Sequence, residues 1–541
     1  MKQVHVLIAG AGPVGLTLAI DLAWRGIPSL LVEPLVTVHP HPRAISIGVR
    51  TMEHFRRLGL DQKTIDAGVP RSRALDVIYV TRLLGREVFR FNIPSIDELA
   101  RDGEALVAAT PEIAASPYYK TWTAQSPLER MLRAHAATLP LIETRYGWKL
   151  DRFAEADDGV TAKITDIASG ETETIAASYL AGCDGANSVV RSGLGVALSG
   201  RGTLGEAAGL YFRAPELDAR LGRRPGVMYW ALAPGSAGVI YTINGGDEWV
   251  FNRYFAEGES ASSDNPIALI QAAVGADVKI ELLSAQNWLP RQLVADRYGS
   301  KRCFLAGDAC HLFVPTGGFG MNTGIGDAID LAWKIEATLA GWGGTKLLAS
   351  YETERRPIGL FNTLEAADNY DKSGTIFAVP DAIEDDGPEG DAARNAVAAL
   401  LPPKIKHFAP IGVHLGYRYE GSPLIVPDGT PAPPIETASY TPSARPGHRA
   451  PHAWITPGRS TLDLFGRGFT LLRFGGEHGG GLIVAARDAG LPLSINDISN
   501  PAITQLYENR LVLVRPDGHV AWRGNCVPAD ARALIDAVRG V

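Results

Sequence analysis

The stretch VHVLIAGAGPVG, from Val4 to Gly15, most constrains what this chain can fold into. An apolar run ends in Gly10, Gly12 and Gly15, and Leu16-Thr17-Leu18-Ala19-Ile20 follows with helical apolar spacing. That order predicts strand, tight turn and helix, the context in which three such glycines bind a dinucleotide. Gly10 permits the turn, Gly12 lets backbone approach a pyrophosphate, and Gly15 lets the helix lie close on the strand. The helix that opens at Pro13 presents free amides to the phosphates. A second apolar strand, from Ile27 to Val32, ends in Glu33, about 20 residues past the glycines, where ribose hydroxyls need an acceptor.

At 541 residues the chain exceeds one core, and its length predicts about three domains. A hydrophobic fraction of 46% with 21% charged residues fits a soluble globular protein, and a net charge of −7 offers no basic surface for nucleic acid. The amino-terminal apolar run is broken by Gly10, Gly12 and Pro13, so it reads as a first strand rather than a signal peptide. No uninterrupted apolar run of about 18 residues predicts a membrane span. Cys183, Cys303, Cys310 and Cys526 are scattered, with no Cys-x-x-Cys pair. This pattern predicts a reducing cytoplasm, no disulfide framework and no metal site.

Further along, two more apolar strands end in an acid beside glycine. Tyr179 to Cys183 runs into Asp184-Gly185 and a helix start near Arg191; Arg302 to Ala306 runs into Gly307-Asp308. The second is followed by His311 and by Pro315-Thr316-Gly317-Gly318-Phe319-Gly320-Met321-Asn322, a loop whose glycines let backbone approach a flat ligand. Asp308, at a strand end, is suited to accept from polyol hydroxyls. Arg43 follows a proline-rich loop in which His39 and His41 read as solvated, and it is a candidate for a phosphate. Gln125 precedes Ser126-Pro127, which signal a helix start. The stretches 209–254 and 278–288 are rich in β-branched and aromatic residues and predict an inserted sheet domain. The proline-rich stretch 423–446 reads as a linker, and the remainder is long enough for a small α/β domain.

Gly10-x-Gly12-x-x-Gly15, Asp184-Gly185 and Gly307-Asp308, in that order and context, resemble the FAD-dependent aromatic hydroxylases. These are the single-component class A flavoprotein monooxygenases, and the chain is similar to their three-domain branch, which includes phenol, hydroxyphenylpropionate and dichlorophenol hydroxylases and polyketide-tailoring oxygenases. The resemblance implies a mixed α/β and α+β fold: a Rossmann-like FAD-binding domain, an inserted β-sheet substrate domain and a C-terminal thioredoxin-like domain. The expected division is 1–75, 120–200 and 295–400 for the discontinuous FAD-binding domain and 76–119 with 201–294 for the substrate-binding sheet. A linker at 401–446 and the thioredoxin-like domain at 447–541 complete it. That tail lacks Cys-x-x-Cys and is expected to be structural or oligomeric, compatible with a homodimer.

By the same resemblance, Gly10, Gly12, Pro13 and Gly15 hold the FAD pyrophosphate, Glu33 the adenosine ribose, and Arg43 and Gln125 further parts of the cofactor. Asp308 binds the ribityl chain, Gly318, Gly320, Met321 and Asn322 lie along the isoalloxazine, and Asp184-Gly185 serves both FAD and NAD(P)H. The reaction implied is NAD(P)H-dependent hydroxylation of a small phenolic aromatic with dioxygen, through a flavin C4a-hydroperoxide. His311 is the candidate for proton transfer, beside a structural role as a buried donor. Pro315 is the candidate to offer its carbonyl to the substrate hydroxyl. Ile47, Gly48, Tyr229, Tyr241, Trp249, Phe251 and Trp288 are expected to line the substrate pocket, although each of these aromatics, taken alone, is more often a core residue. Asp330 departs from the family, whose members commonly place asparagine there. Hydroxylation or Baeyer-Villiger insertion on a polyketide or antibiotic, and a non-catalytic FAD-binding scaffold, remain the alternatives.

Overall fold

The computed structural model describes residues 1–255, 265–476 and 478–541. Its first sheet explains why three distant glycine-acid motifs converge. Ile142–Tyr146, Ser29–Glu33, Lys2–Ala9 and Thr172–Gly182 lie side by side and parallel, with Cys303–Leu305 parallel to the end of Thr172–Gly182. In register, Ala9 faces Val32 and Gly182, and Gly182 faces Leu305. The strands therefore stop together, and Gly10, Glu33, Asp184 and Asp308 emerge at one edge. That is the carboxyl end of a parallel sheet, where open α/β folds bind ligands. The helices Pro13–Trp24, Phe319–Leu339 and Gln125–Ala136 cover one face of the sheet.

A second sheet runs Glu281–Trp288, Glu206–Arg213, Glu248–Phe255, Gly238–Thr242, Met228–Ala231, Val77–Val80 and Glu87–Phe91. Successive side chains leave a strand on opposite faces, and here both faces are buried. Tyr79, Trp230, Val239, Tyr241 and Val250 form one apolar cluster. Ile78, Tyr229, Ile240, Trp249 and Phe251 form another, beneath the helix Pro266–Val274. Tyr229, Trp249 and Phe251, expected in the substrate pocket, are thus core residues of the far face.

In the C-terminal unit the strand order is Leu493–Ile498, Phe469–Phe474, Leu511–Val514, Val520–Gly524, the first pair parallel and the others antiparallel. This is the mixed α/β sheet of a thioredoxin-like fold. The hairpin turn at Asp517-Gly518 is not at the surface: Arg515, Asp517 and His519 are all buried. They meet Asp330 and Lys334 of the Phe319–Leu339 helix and Glu354 of the helix Lys346–Gly374. Arg515 donates to both oxygens of Glu354 (2.6 and 2.8 Å), to Asp330 (3.2 Å) and to Asp517 (2.7 Å). Lys334 donates to Asp330 (2.7 Å) and Glu354 (2.6 Å).

The expected linker 401–446 is more than a tether. It carries a 3-10 turn, Pro402–His407, and a helix, Ile411–Gly416, whose residues are packed into the protein. Apolar Phe408, Ile411, Val413 and Leu415 supply the burial that a proline-rich composition hides. Among the described residues no helix is long and apolar enough to cross a membrane.

Candidate active site

A cavity of about 970 Å³ begins at the edge where the parallel strands stop and continues to the near face of the second sheet. Gly10, Gly12, Pro13, Glu33, Arg43, Gln125, Asp184, Gly185 and Asp308 line its first half. Gly10 has φ +101°, and a Cβ there would lie 2.3 Å from the Cys183 carbonyl oxygen, so only glycine fits. A Cβ on Gly12 would meet nothing within 4 Å, which leaves its surroundings free for a ligand. Gly12 also begins the Pro13–Trp24 helix without any side-chain cap. Gly15 does not line the cavity; a Cβ there would sit 2.0 Å from the Gly10 carbonyl oxygen, so its part is close packing. Glu33 is oriented by two backbone amides, Ala11 N (2.7 Å) and Leu35 N (2.9 Å), which leave acceptor positions over.

The two acid-glycine turns differ. The Asp184 carboxylate is committed to its own helix start: it accepts from Ser188 Oγ (2.5 Å) and from the Val189 (2.7 Å) and Val190 (3.1 Å) amides. It lines the cavity as a cap, and burial raises its pKa. Arg191 ties this turn to the next by donating to the carbonyls of Ala186 (2.8 Å) and Ala309 (3.0 Å). Asp308 instead opens onto the cavity, and enclosure by protein raises its pKa, with only the fields of His311 and Arg43 opposing. A carboxylate open to the cavity, with no donor among the described residues, suits a ligand rich in hydroxyls.

Pro315, Gly318, Gly320 and Met321 line the next part of the wall. Gly317 (φ +89°) and Gly318 (φ +68°) are consecutive left-handed residues that turn the chain into the Phe319–Leu339 helix, again without a side-chain cap. Two bare helix N-termini therefore converge on one cavity. Asn322 lies behind the wall. Its amide group donates to the Gly318 (2.7 Å) and Ser46 (3.1 Å) carbonyls and accepts from Gly48 N (2.7 Å) and Thr51 Oγ (2.8 Å). It fixes the glycine loop against the 46–51 segment and makes no contact with the cavity. The Pro315 carbonyl already accepts from Gly318 N (3.2 Å), with one lone pair left for a ligand.

His311 is a correction. It is fully buried away from the cavity, with Nε2 bonded to Asp327 Oδ2 (2.7 Å), and Asp327 Oδ1 accepts from Arg355 Nε (2.8 Å). Burial would raise the Asp327 pKa, but Arg355 and His311 together hold it below the usual carboxylate value. A residue so placed fixes two helices and cannot reach a substrate. Cys310, His311 and Asp327 do bring three potential metal ligands together, but burial drives the Cys310 pKa well up, and Arg355 occupies the carboxylate.

The second half of the cavity is aromatic. Ile47, Gly48, Tyr241 and Trp288 of the candidate pocket residues line it, joined by Trp122, Met228, Trp230 and Tyr254, which sequence reasoning missed. Period-two alternation from Tyr241 and its antiparallel neighbour Met228 was the available signal. His41, expected in solvent, is buried in this wall with Nδ1 bonded to Ser284 Oγ (2.8 Å), and burial, His39 and Arg43 lower its pKa to about 4. From the former linker come His407, Phe408 and His414, and Lys120 stands beside them.

Residues 3–363 match the family described as FAD binding domain, and residues 443–541 match aromatic-ring hydroxylase, C-terminal. A 4-methyl-5-nitrocatechol 5-monooxygenase from Burkholderia sp is 32% identical, over 100% of this chain and 97% of that protein. The rebeccamycin biosynthetic enzyme RebC with reduced flavin superposes with a TM-score of 0.91 at 40% identity, covering 100% and 99% of the two chains. Aklavinone-11 hydroxylase in ternary complex with FAD and aklavinone superposes with a TM-score of 0.81 at 30% identity, both chains covered completely. The cradle at Gly12, the oriented Glu33, the donorless Asp308 and the glycine loop fit the cofactor those matches name. This chain belongs to the FAD-binding aromatic-ring hydroxylases, a family of flavin monooxygenases.

Proposed function

We propose that this enzyme hydroxylates a phenolic aromatic substrate with FAD, NAD(P)H and dioxygen, and that the substrate is a fused-ring phenol. The observation that carries the reading is a single cavity, bounded at one end by the glycine-acid motifs and at the other by Trp122, Trp230, Tyr241 and Trp288. Cofactor and aromatic ring would share one compartment. The fused-ring preference is supported by the aromatic breadth of that wall and by relatives that act in rebeccamycin biosynthesis or bind aklavinone.

Gly12 and the adjoining helix amides would hold the pyrophosphate, Glu33 the ribose hydroxyls and Asp308 the ribityl hydroxyls, with Arg43 and Gln125 alongside. Gly318, Gly320 and Met321 would face the isoalloxazine, and Asn322 would hold that loop in shape. Bound FAD supplies the redox and oxygen-activating chemistry. The protein's own tasks are to orient the ring, exclude water and favour the phenolate, the more nucleophilic form. The residual lone pair of the Pro315 carbonyl can accept from a substrate hydroxyl.

The test is consumption of NADH and NADPH by the purified yellow protein over simple phenols and fused-ring phenols, with product and hydrogen peroxide quantified in parallel. Oxidation stimulated by fused-ring phenols, with matching hydroxylated product, is expected. A simple phenol turning over as efficiently as any fused ring would favour the reading the nitrocatechol relative suggests. Retained FAD with no stimulation by any phenol would defeat both and leave a binding scaffold.

A further inference from the structure

Lys120 borders the cavity from a segment outside the glycine-acid motifs. It lies between the Thr121–Trp122 strand and the 3-10 turn Pro402–His407, lines the cavity, and donates from Nζ to the Phe408 carbonyl at 2.9 Å. Nζ also stands 5.6 Å from the centre of the Trp122 ring. No carboxylate pairs with it among the described residues. Of the ionisable groups lining the same cavity, Tyr119 precedes it in the chain, His414 on the 402–416 segment feels its charge, and His407 and Tyr241 lie on the neighbouring wall. His407 and His414 are held neutral, with pKa values lowered to about 3 and about 4, and burial raises those of Tyr119 and Tyr241. Glu112, on the adjoining turn, acts on Tyr119.

A chain of contacts places Lys120 at the seam between the two halves of the cavity. Lys120 acts electrostatically on His414, whose ring packs against Gly48 so tightly that a Cβ there would lie 2.5 Å from Cε1. The same ring sits 5.9 Å from Phe319, the first residue of the glycine-loop helix, and Gly48 is bonded to Asn322 at 2.7 Å. An amine with unused hydrogen-bonding capacity therefore stands where an aromatic ring in the second half would meet the glycine loop of the first.

Resting on the monooxygenase reading, we propose that Lys120 is a catalytic residue that takes the hydroxyl proton of a phenolic substrate and holds the resulting phenolate. In this step the substrate O–H bond breaks, its electron pair stays on oxygen, and a new N–H bond forms at Nζ. A neutral amine and a neutral phenol become an ammonium-phenolate pair. Burial without a counter-ion lowers the Lys120 pKa to about 7, so a neutral amine is available near neutral pH. The ammonium, disfavoured alone, is stabilised once its partner anion forms in contact with it. The substrates so selected are phenols whose ionisable hydroxyl reaches the Phe408 end of the seam.

The experiment uses FAD-loaded enzyme. In the first arm, acetic anhydride labels the lysines across pH 5 to 10, and mass spectrometry reads each position. Lys120 is expected to reach half its maximal rate about three pH units below the surface lysines; titration with those lysines, or no labelling at all, would overturn the proposal. In the second arm, 2-hydroxyanthraquinone is the probe, because its ionisation shifts its absorption to the red of the flavin. Below the free dye's midpoint, the anion fraction bound to wild type is expected to exceed that in Lys120→Met at least tenfold; equal fractions in the two proteins would overturn the proposal. Should Lys120→Met lose FAD, the labelling arm on wild type still decides. Failure of the dye to bind wild type would count against the fused-ring reading, while Lys120 is judged on labelling.

Discussion

Two polar regions of this molecule are built on opposite rules, one buried in the protein and one open to a cavity. Beneath the C-terminal unit, Asp330, Lys334, Glu354, Arg515 and Asp517 are all buried, and each is matched by groups of opposite charge at 2.6–3.2 Å. Around the cavity, Asp308 is open to the cavity space and Lys120 is half-buried, and among the described residues Asp308 has no hydrogen-bond donor and Lys120 no carboxylate partner. A buried charge without a partner costs more than pairing recovers, so structural charge is kept satisfied. Unsatisfied charge persists where a ligand completes it, and perturbed ionisable groups of that kind gather at functional sites. The difference separates a charge cluster that joins domains from one that awaits a substrate.

The largest effect should come from breaking the satisfied region. Arg515→Met removes the guanidinium from the Glu354, Asp330 and Asp517 carboxylates and leaves Lys334, among the described residues, as the one cation bonded to the first two. Removing one partner of a buried ion pair costs about 3–5 kcal/mol, and denaturant unfolding should show a loss in that range. Unchanged stability would mean that the C-terminal unit is not held through this hub.

The same operation at the cavity should act on binding rather than folding. Asp308→Ala is expected to weaken FAD retention about ten- to a hundredfold, as for loss of hydrogen bonds to a charged group. The apoprotein should be as stable as wild type, because no partner is stranded. Equilibrium dialysis of FAD together with thermal unfolding of the apoprotein reads both. Full FAD occupancy in the variant would remove Asp308 from the site.

These two regions were unequally legible in the sequence. The cofactor half announced itself because a strand followed by glycine and acid has a local signature, and parallel register then brings the strand ends together. Asp308 and Glu33 needed no knowledge of distant contacts. The charge hub joins residues 330, 354 and 515, whose proximity no local pattern encodes. Arg515 follows the strand Leu511–Val514 and Asp517 lies in the turn beyond it, positions that announce no ion-pair partner. His311 misled because a histidine beside a motif resembles a proton carrier, whereas Asp327 and Arg355, which fix it, come from separate helices. Lys120 and His414 were invisible for a related reason: one lies outside every glycine-acid motif and the other in an apparent linker.

A finer test lies inside the hub. The folded-state pKa of Asp330 is raised to about 6 from 3.8, burial outweighing Lys334 and Arg515. A raised carboxyl pKa means that the folded state holds the proton more tightly than the unfolded chain. Its contribution is therefore most favourable below about pH 4 and is lost as pH rises through about 6. Asp330→Asn removes the charge and keeps one oxygen acceptor, enough for Lys334 or for Trp333 and Arg515 but not for both sets. Stabilisation of about 1–3 kcal/mol above pH 6, with a flatter stability profile between pH 4 and 6, is expected from chemical denaturation at several pH values. Destabilisation at pH 7 would show that Arg515 needs this carboxylate more than burial penalises it.

The smallest expected effect separates the two faces of the second sheet. Tyr241 and Trp249 are neighbours across paired strands, since Thr242 faces Trp249 and Tyr241 faces Val250, yet their side chains leave on opposite sides. Tyr241 borders the cavity, and its hydroxyl makes only a long contact with Asn252 Nδ2, 3.4 Å away. Trp249 is sealed beneath the Pro266–Val274 helix. Tyr241→Phe should therefore cost under about 1 kcal/mol in stability, while changing KM for a phenolic substrate several-fold more than kcat. Trp249→Phe shrinks a packed core and should cost about 1–2 kcal/mol with KM unchanged. If Trp249→Phe altered substrate selectivity and Tyr241→Phe did not, the parity that assigns one face to the ligand and the other to the core would be reversed.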